Sequence, residues 1–164
     1  MERLYRLNVA GIFVDAKGKM LVAERNDFPG SWQFPQGGVD TGESLEEAFR
    51  REMEEELGIS AGLYEIVERR GGYRYAFPPG HRKREIYTGQ EQTYFRCDFV
   101  GDPARVRVDT AHPEFRSVRW IEPEQFQEAW LPDFKRAVYR QVMRDFFGLE
   151  WKQESGPGSL EVGG

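Results

Sequence analysis

Residues 37–59 read GGVDTGESLEEAFRREMEEELGI, and ten of these 23 residues are charged. Ser44 followed three residues later by Glu47 predicts a capping box, in which each side chain satisfies a free amide of a helix start. Gly58 predicts the stop, because a left-handed residue closes a helix most easily when it has no side chain. Between them, Leu45, Ala48, Phe49, Met53 and Leu57 recur at three- and four-residue steps, as in a helix with one buried stripe. At about 100° per residue, Glu56 falls roughly 20° and Glu52 roughly 60° from Phe49, on the buried side. Glu55 lies about 120° away beside Ala48, while Glu54 takes the solvated face. Ordinary charge pairing along a helix accounts for Glu46, Glu47, Arg50 and Glu54. It does not account for Glu52, Glu55 and Glu56. Buried, unpaired carboxylates are costly, and three together raise one another's pKa. A hard divalent cation relieves both penalties, so a metal site is expected here.

The same residues carry a resemblance. Gly37, five residues, Glu43, seven residues, then Arg51-Glu52-Met53, Glu55-Glu56 and Gly58-Ile59 resemble the complete Nudix box. The resemblance implies an α/β fold, an α/β/α sandwich with a mixed β-sheet between helices. It also implies a Mg²⁺-dependent hydrolase, Mn²⁺ being able to substitute, that acts on nucleoside diphosphates linked to another group. Four further motifs follow in order. Ser31-Trp32-Gln33-Phe34-Pro35-Gln36-Gly37-Gly38, Gly89-Gln90-x-Gln92-x-Tyr94-Phe95, Pro113-Glu114-Phe115 with Arg119-Trp120, and the run from Phe134 to Val142 are similar to bacterial RNA pyrophosphohydrolases and dinucleoside polyphosphate hydrolases. The match spans residues 5–147. It implies that the partner is a 5′-triphosphate RNA end or a dinucleoside polyphosphate. A noncatalytic nucleotide-binding module is the alternative of a different class, and an intact carboxylate cluster argues against it.

The roles implied by the resemblance are these. Glu52, Glu55, Glu56, Glu114 and the Gly37 carbonyl are metal ligands. Glu56 and Glu114 are rival general bases, and Arg51 orients a box glutamate, with Glu43 as support. Arg6, Arg25 and Lys135 are phosphate contacts by position, each otherwise an ordinary surface cation. Ser31 and Gln33 fall on the substrate side of the lead-in. Tyr75 stands where a phosphate-contacting tyrosine is expected. Phe134 can stack on a base, and it equally fits the apolar stripe of its helix.

At 164 residues a single domain over 1–150 is expected, with a Gly/Ser-rich, disordered tail at 151–164. No apolar run approaches about 18 residues, so no membrane span is expected. A lone Cys97 and an N-terminus without a signal-peptide core fit the cytoplasm. A net charge of −5 argues against duplex DNA as a partner. Oligomeric state is left open. His81-Arg82-Lys83-Arg84 is a local basic cluster, as readily a solvated loop as a binding element. His81 and His112 lack zinc-ligand spacing and are read as ordinary.

Strands are expected over 7–14, 19–25, 32–34, 63–75 (broken near Gly71-Gly72), 93–99 and 118–121. The 78–90 segment, with Pro78, Pro79 and Gly80, is the long loop. A second helix is expected over 133–147, its stripe running through Phe134, Ala137, Val138, Val142 and Phe146 and its end at Gly148.

Overall fold

In a computed structural model that describes residues 4–111 and 113–151, strand β1 (Tyr5–Val14) organises the molecule. Its side chains alternate between two buried faces. Val9 and Phe13 enter one apolar cluster; Ala10, Ile12 and Val14 enter the other. A strand covered on both sides reads as a nearly continuous apolar run, and Val9 to Val14 is one. The remaining strands are β2 (Met20–Arg25), β3 (Trp32–Gln33), β4 (Gln36–Gly38), β5 (Tyr64–Ala76), β6 (Gly89–Phe99) and β7 (Phe115–Ile121). The sheet runs β3-β2-β1-β6-β5, with β4 also on β1 and β7 also on β2. Among the described residues only β1 and β6 are parallel, so the sheet is mixed, as expected.

Helix α1 (Leu45–Leu57) covers one face through Ala48, Phe49, Met53 and Leu57. Its capping box is present in both directions, at 2.8 and 3.1 Å, and Gly58 closes it at φ 65°. Helix α2 (Asp133–Phe147) covers the other face through Val138, Tyr139, Val142 and Met143 and ends at Gly148, φ 66°. Each fully buried side chain of this size contributes roughly 1.5–3 kcal/mol. The layers are therefore helix, sheet, helix.

Several boundaries differ from expectation. The expected 32–34 strand stops at Gln33, and a second short strand not expected there follows at 36–38; between them Pro35 leaves the ladder, its carbonyl accepting from the Gly11 amide. β5 runs on through Gly71-Gly72 as a bulge between Arg70 and Tyr73, so the pairing shifts without ending. β6 begins four residues early, at Gly89, which pairs with Tyr5 on one side and with Ala76 on the other. β7 begins at Phe115, three residues before Val118. In α2 the small Ala137 is exposed. Trp151, assigned to a disordered tail, stacks on Phe126 at 5.3 Å and belongs to the packed domain. The rest of that expected tail, 152–164, and His112 lie outside the described residues. No helix among the described residues is long and apolar enough to cross a membrane.

Candidate active site

The last turn of α1 holds Glu54, Glu55 and Glu56 and no basic residue. Helix C-termini carry partial negative charge, so this is an unfavourable place for carboxylates. Burial sharpens the problem in steps. Glu54 and Glu55 are exposed, Glu52 is half-buried, and Glu56 is only 7% exposed. Burial, helped by Glu114, Glu52 and Glu55, pushes the Glu56 carboxyl up to about 7. Burial likewise raises Glu52. One oxygen of Glu56, Oε2, is buried with no hydrogen-bond partner among the described residues. Carboxylate oxygens of Glu52, Glu55 and Glu56 lie within 4.8 Å of one another. Three crowded carboxylates and an orphaned buried oxygen form a donor set that fits a hard divalent cation.

The cluster is held from one side by Arg51. Its guanidinium donates to both oxygens of Glu43 (2.6 and 2.9 Å), to Glu52 (2.9 Å), to Glu55 (3.3 Å) and to the Gly38 carbonyl (3.1 Å). It thus ties α1 to β4 and to the loop between them. The same contacts hold Glu43 down to about 2, first through the Arg51 hydrogen bond. β4 lies so close that a Cβ on Gly37 would overlap the Glu52 carboxyl, and one on Gly38 would overlap the Arg6 guanidinium. Any side chain there would displace the Glu52 carboxyl or the Arg6 guanidinium, so glycine leaves both in place.

Glu114 reaches the cluster from another direction. It sits just before β7, fixed by the Asn26 amide donating to its carbonyl at 2.9 Å. It is exposed and raises both Glu56 and Glu52.

Glu52, Glu56 and Glu114 form one wall of an open pocket of about 900 Å³. The same pocket gathers Arg6, Arg25, Ser31, Gln33, Gly37, Tyr75, Phe134 and Lys135 from five separate parts of the chain. Arg51 and Glu55 support the acidic wall from outside the lining. In the same pocket, Lys135 is 6% exposed, and its ammonium donates to Gln33 Oε1 at 3.3 Å. Burial, then Arg25 and Lys83, bring it down to about 7. Arg6 donates to Gln90 Oε1 at 2.9 Å, and Gln90 Nε2 donates to the Tyr75 hydroxyl at 2.5 Å. The Tyr75 proton is therefore free to point into the pocket. Ser31 Oγ donates to the Trp130 carbonyl (2.9 Å), and Arg25 is paired with Asp27 at 2.7 Å. Phe134 is partly buried against Tyr75 at 5.5 Å while also lining the pocket, so packing and exposure to a ligand coexist.

Sequence reasoning missed part of the lining. Gln36 and Asn8 join the pocket through Gln92, whose amide donates to both at 2.6 and 2.9 Å. Gln90 and Gln92 were visible as a motif; the link across 84 residues to β1 was not. His81, read as ordinary, stacks on Phe77 at 4.3 Å and lines the pocket with Arg82 and Lys83. The local charge cluster was the signal, but nothing in it distinguished a wall from a solvated loop.

A NUDIX domain model matches residues 4–146. The chain is 40% identical over 148 residues to an RNA pyrophosphohydrolase of Rhodospirillum rubrum, covering 88% of each chain. It is 40% identical over 152 residues to one of Novosphingobium aromaticivorans, covering 88% of this chain and 94% of that relative. Among solved structures it resembles a C. elegans Ap4A hydrolase binary complex, with a TM-score of 0.62 at 19% identity over 88% of this chain and 99% of the other. It also resembles the E. coli dihydroneopterin triphosphate pyrophosphohydrolase, with a TM-score of 0.64 at 18% identity over 88% and 97%. The two structures share its fold; the two relatives share its sequence over nearly its whole length. With the family match spanning both helices and every strand of the sheet, the chain belongs to the Nudix family and is a Nudix hydrolase.

Proposed function

We propose that the protein removes pyrophosphate from triphosphorylated 5′ ends of RNA, with Mg²⁺ as the resident cation. The observation that carries this reading is one pocket lined by both kinds of charge: Glu52, Glu56 and Glu114 together with Arg6 and Lys135. Among the described residues neither Arg6 nor Lys135 has a carboxylate partner. Such a pocket suits a ligand that brings both its own negative charge and a metal-binding face. A polyphosphate chain is that ligand. The 40% identical relatives named RNA pyrophosphohydrolase support the RNA end as its carrier.

The residues have separable tasks. Glu52, Glu55 and Glu56, with the Gly37 carbonyl, would hold the cation, which when bound neutralises phosphate charge and lowers the pKa of water. Arg51 keeps Glu52 and Glu55 aimed. Arg6, Lys135 and the Tyr75 hydroxyl bind phosphate oxygens and align the chain, so most of the catalysis is positioning and charge stabilisation. Water adds to one phosphorus of the anhydride, its P–O bond breaks, and pyrophosphate leaves an RNA 5′-monophosphate. Glu114, exposed at the pocket and without an ion-pair partner among the described residues, takes the proton of that water; Glu56 is committed to the cation. Phe134 offers a flat face for a base at the pocket's edge.

The test is a parallel measurement of kcat/KM on 5′-triphosphate RNA, diadenosine polyphosphates and GTP, with and without Mg²⁺. Triphosphate RNA should be the best substrate and Mg²⁺ obligatory. Higher kcat/KM on diadenosine polyphosphates would reassign the substrate, and turnover without a divalent cation would overturn the metal reading.

A further inference from the structure

Carboxamides crowd the pocket and the sheet behind it. Asn8, Gln33, Gln90 and Gln92 are buried, and Gln36 is half-buried. A buried carboxamide is costly unless its oxygen and its amino group both find partners. All five oxygens are taken by protein donors. Lys135 donates to Gln33 at 3.3 Å and Arg6 to Gln90 at 2.9 Å. The Tyr94 hydroxyl donates to Gln92 at 2.8 Å, and Gln92 Nε2 donates to Asn8 at 2.9 Å and to Gln36 at 2.6 Å. The amino groups divide. Those of Gln90 and Gln92 are used within the protein, Gln90 donating to the Tyr75 hydroxyl. Those of Asn8, Gln33 and Gln36 have no acceptor among the described residues. They are not sealed in, because the buried polar atoms without partners there belong to Glu56, Tyr64, Arg96 and Arg140. Asn8, Gln33 and Gln36 line the pocket, so their nitrogens open onto it.

Gln92 decides which way two of these groups face. It lies outside the pocket lining, 1% exposed, on β6 directly across from Asn8 on β1. Its nitrogen uses both hydrogens, and its oxygen is held by Tyr94, which is fully buried. Turning it over would break three hydrogen bonds at once. While Gln92 stays, Asn8 and Gln36 keep their oxygens on it and their amino groups toward the pocket. These two residues flank the glycines of β4. Gln36 precedes Gly37, whose Cβ would overlap the Glu52 carboxyl, and Asn8 pairs with Gly38. A carboxamide N–H at this place donates to an anionic oxygen without forming an ion pair with Glu52 or Glu56.

We propose that Gln92 is a positioning residue that fixes Asn8 and Gln36 as a pair of neutral N–H donors to a phosphoryl oxygen beside Gly37 and Gly38. This rests on the reading of the pocket as a polyphosphate site. Donors held in place before the substrate arrives need no reorientation as charge gathers on that oxygen, so their effect falls on the chemical step. Gln92 itself touches no substrate. It acts through the two carboxamides in front of it.

The experiment has two arms. In the first, the ¹⁵N-labelled full chain is titrated with inorganic pyrophosphate without metal, and the side-chain amino resonances of Asn8 and Gln36, assigned by their loss in Asn8→Ala and Gln36→Ala, are followed. Both should shift in the wild type. The second arm is steady-state kinetics with Mg²⁺ on 5′-triphosphate RNA. A carboxyl at position 92 has at most one hydrogen to give, so in Gln92→Glu at least one of the two carboxamides must turn its nitrogen inward. That variant should lose about 100-fold in kcat, the cost of removing one such donor, with KM changed far less. Gln92→Met, which frees both groups to rotate, should lower kcat about 10- to 100-fold, as for loss of an orienting partner at a metal site. In an Asn8→Ala/Gln36→Ala background the same Gln92→Met change should cost almost nothing further, because residues acting through one another are not additive. A full loss in that background would show a merely structural role and overturn the proposal, as would wild-type kcat in Gln92→Glu. Unmoved wild-type resonances at saturating pyrophosphate would overturn it too, and that titration holds even where a substitution at 92 unfolds the chain. Resonances that shift while no RNA is turned over would sink the RNA reading and leave the assignment of Gln92 standing.

Discussion

Glu56 occupies a place that only a cation makes comfortable: the last turn of a helix, 7% exposed, with one oxygen unpartnered and three carboxylates nearby. Glu56→Gln keeps its size and removes its charge. Activity should fall at least about 100-fold, as for loss of a group stabilising transition-state charge. Metal-free stability should hold or rise, because repulsion drops. Near-wild-type turnover in saturating Mg²⁺ would remove Glu56 from the site. Lys135 presents the mirror problem in the same pocket. Its folded-state value of about 7 lies below its ordinary 10.5. Below about pH 7 it is charged in both states, and the burial penalty weighs fully on the fold. Between the two values the unfolded chain binds more protons, so metal-free stability rises with pH. Activity should run the other way. kcat/KM reports the free enzyme, so it should decline as pH rises through about 7. In Lys135→Arg, which stays charged, the decline should move to higher pH. An unchanged pH profile in that variant would show that another group sets the limb.

At the scale of elements, the site is a clamp between α1 and β4, and Arg51 is its rivet. Lysine cannot reproduce a guanidinium shared among Glu43, Glu52, Glu55 and the Gly38 carbonyl. Arg51→Lys should weaken Mg²⁺ affinity or activity about 10- to 100-fold, the usual cost of losing a residue that orients metal ligands. Added Mg²⁺ should restore part of the rate; wild-type Mg²⁺ affinity would contradict the clamp. This element was legible in sequence because its signals are local: Ser44 and Glu47 three residues apart, Gly58 at the end, carboxylates placed by angle on one helix. α2 was legible for the same reason. What was not legible depends on contacts between distant segments. Gln92 meets Asn8 across 84 residues, Gly89 is strand where Tyr5 pairs with it on one side and Ala76 on the other, and His81 lines the pocket where Phe77 and Phe134 receive its ring. No local pattern encodes those meetings.

At the scale of the molecule, a two-faced sheet buries one helix against each side and leaves an opening where the Glu side of α1, the Lys135 end of α2 and the β5–β6 connection converge. A chain of net charge −5 thereby keeps basic side chains gathered inside a pocket. The most direct test of that account is product identity. RNA carrying a 5′-triphosphate labelled at the γ phosphate is incubated with the enzyme and Mg²⁺, and the released label is separated. The account predicts label in pyrophosphate, a 5′-monophosphate RNA, and no release when Mg²⁺ is chelated. Label retained on the RNA, or released only as orthophosphate, would contradict it.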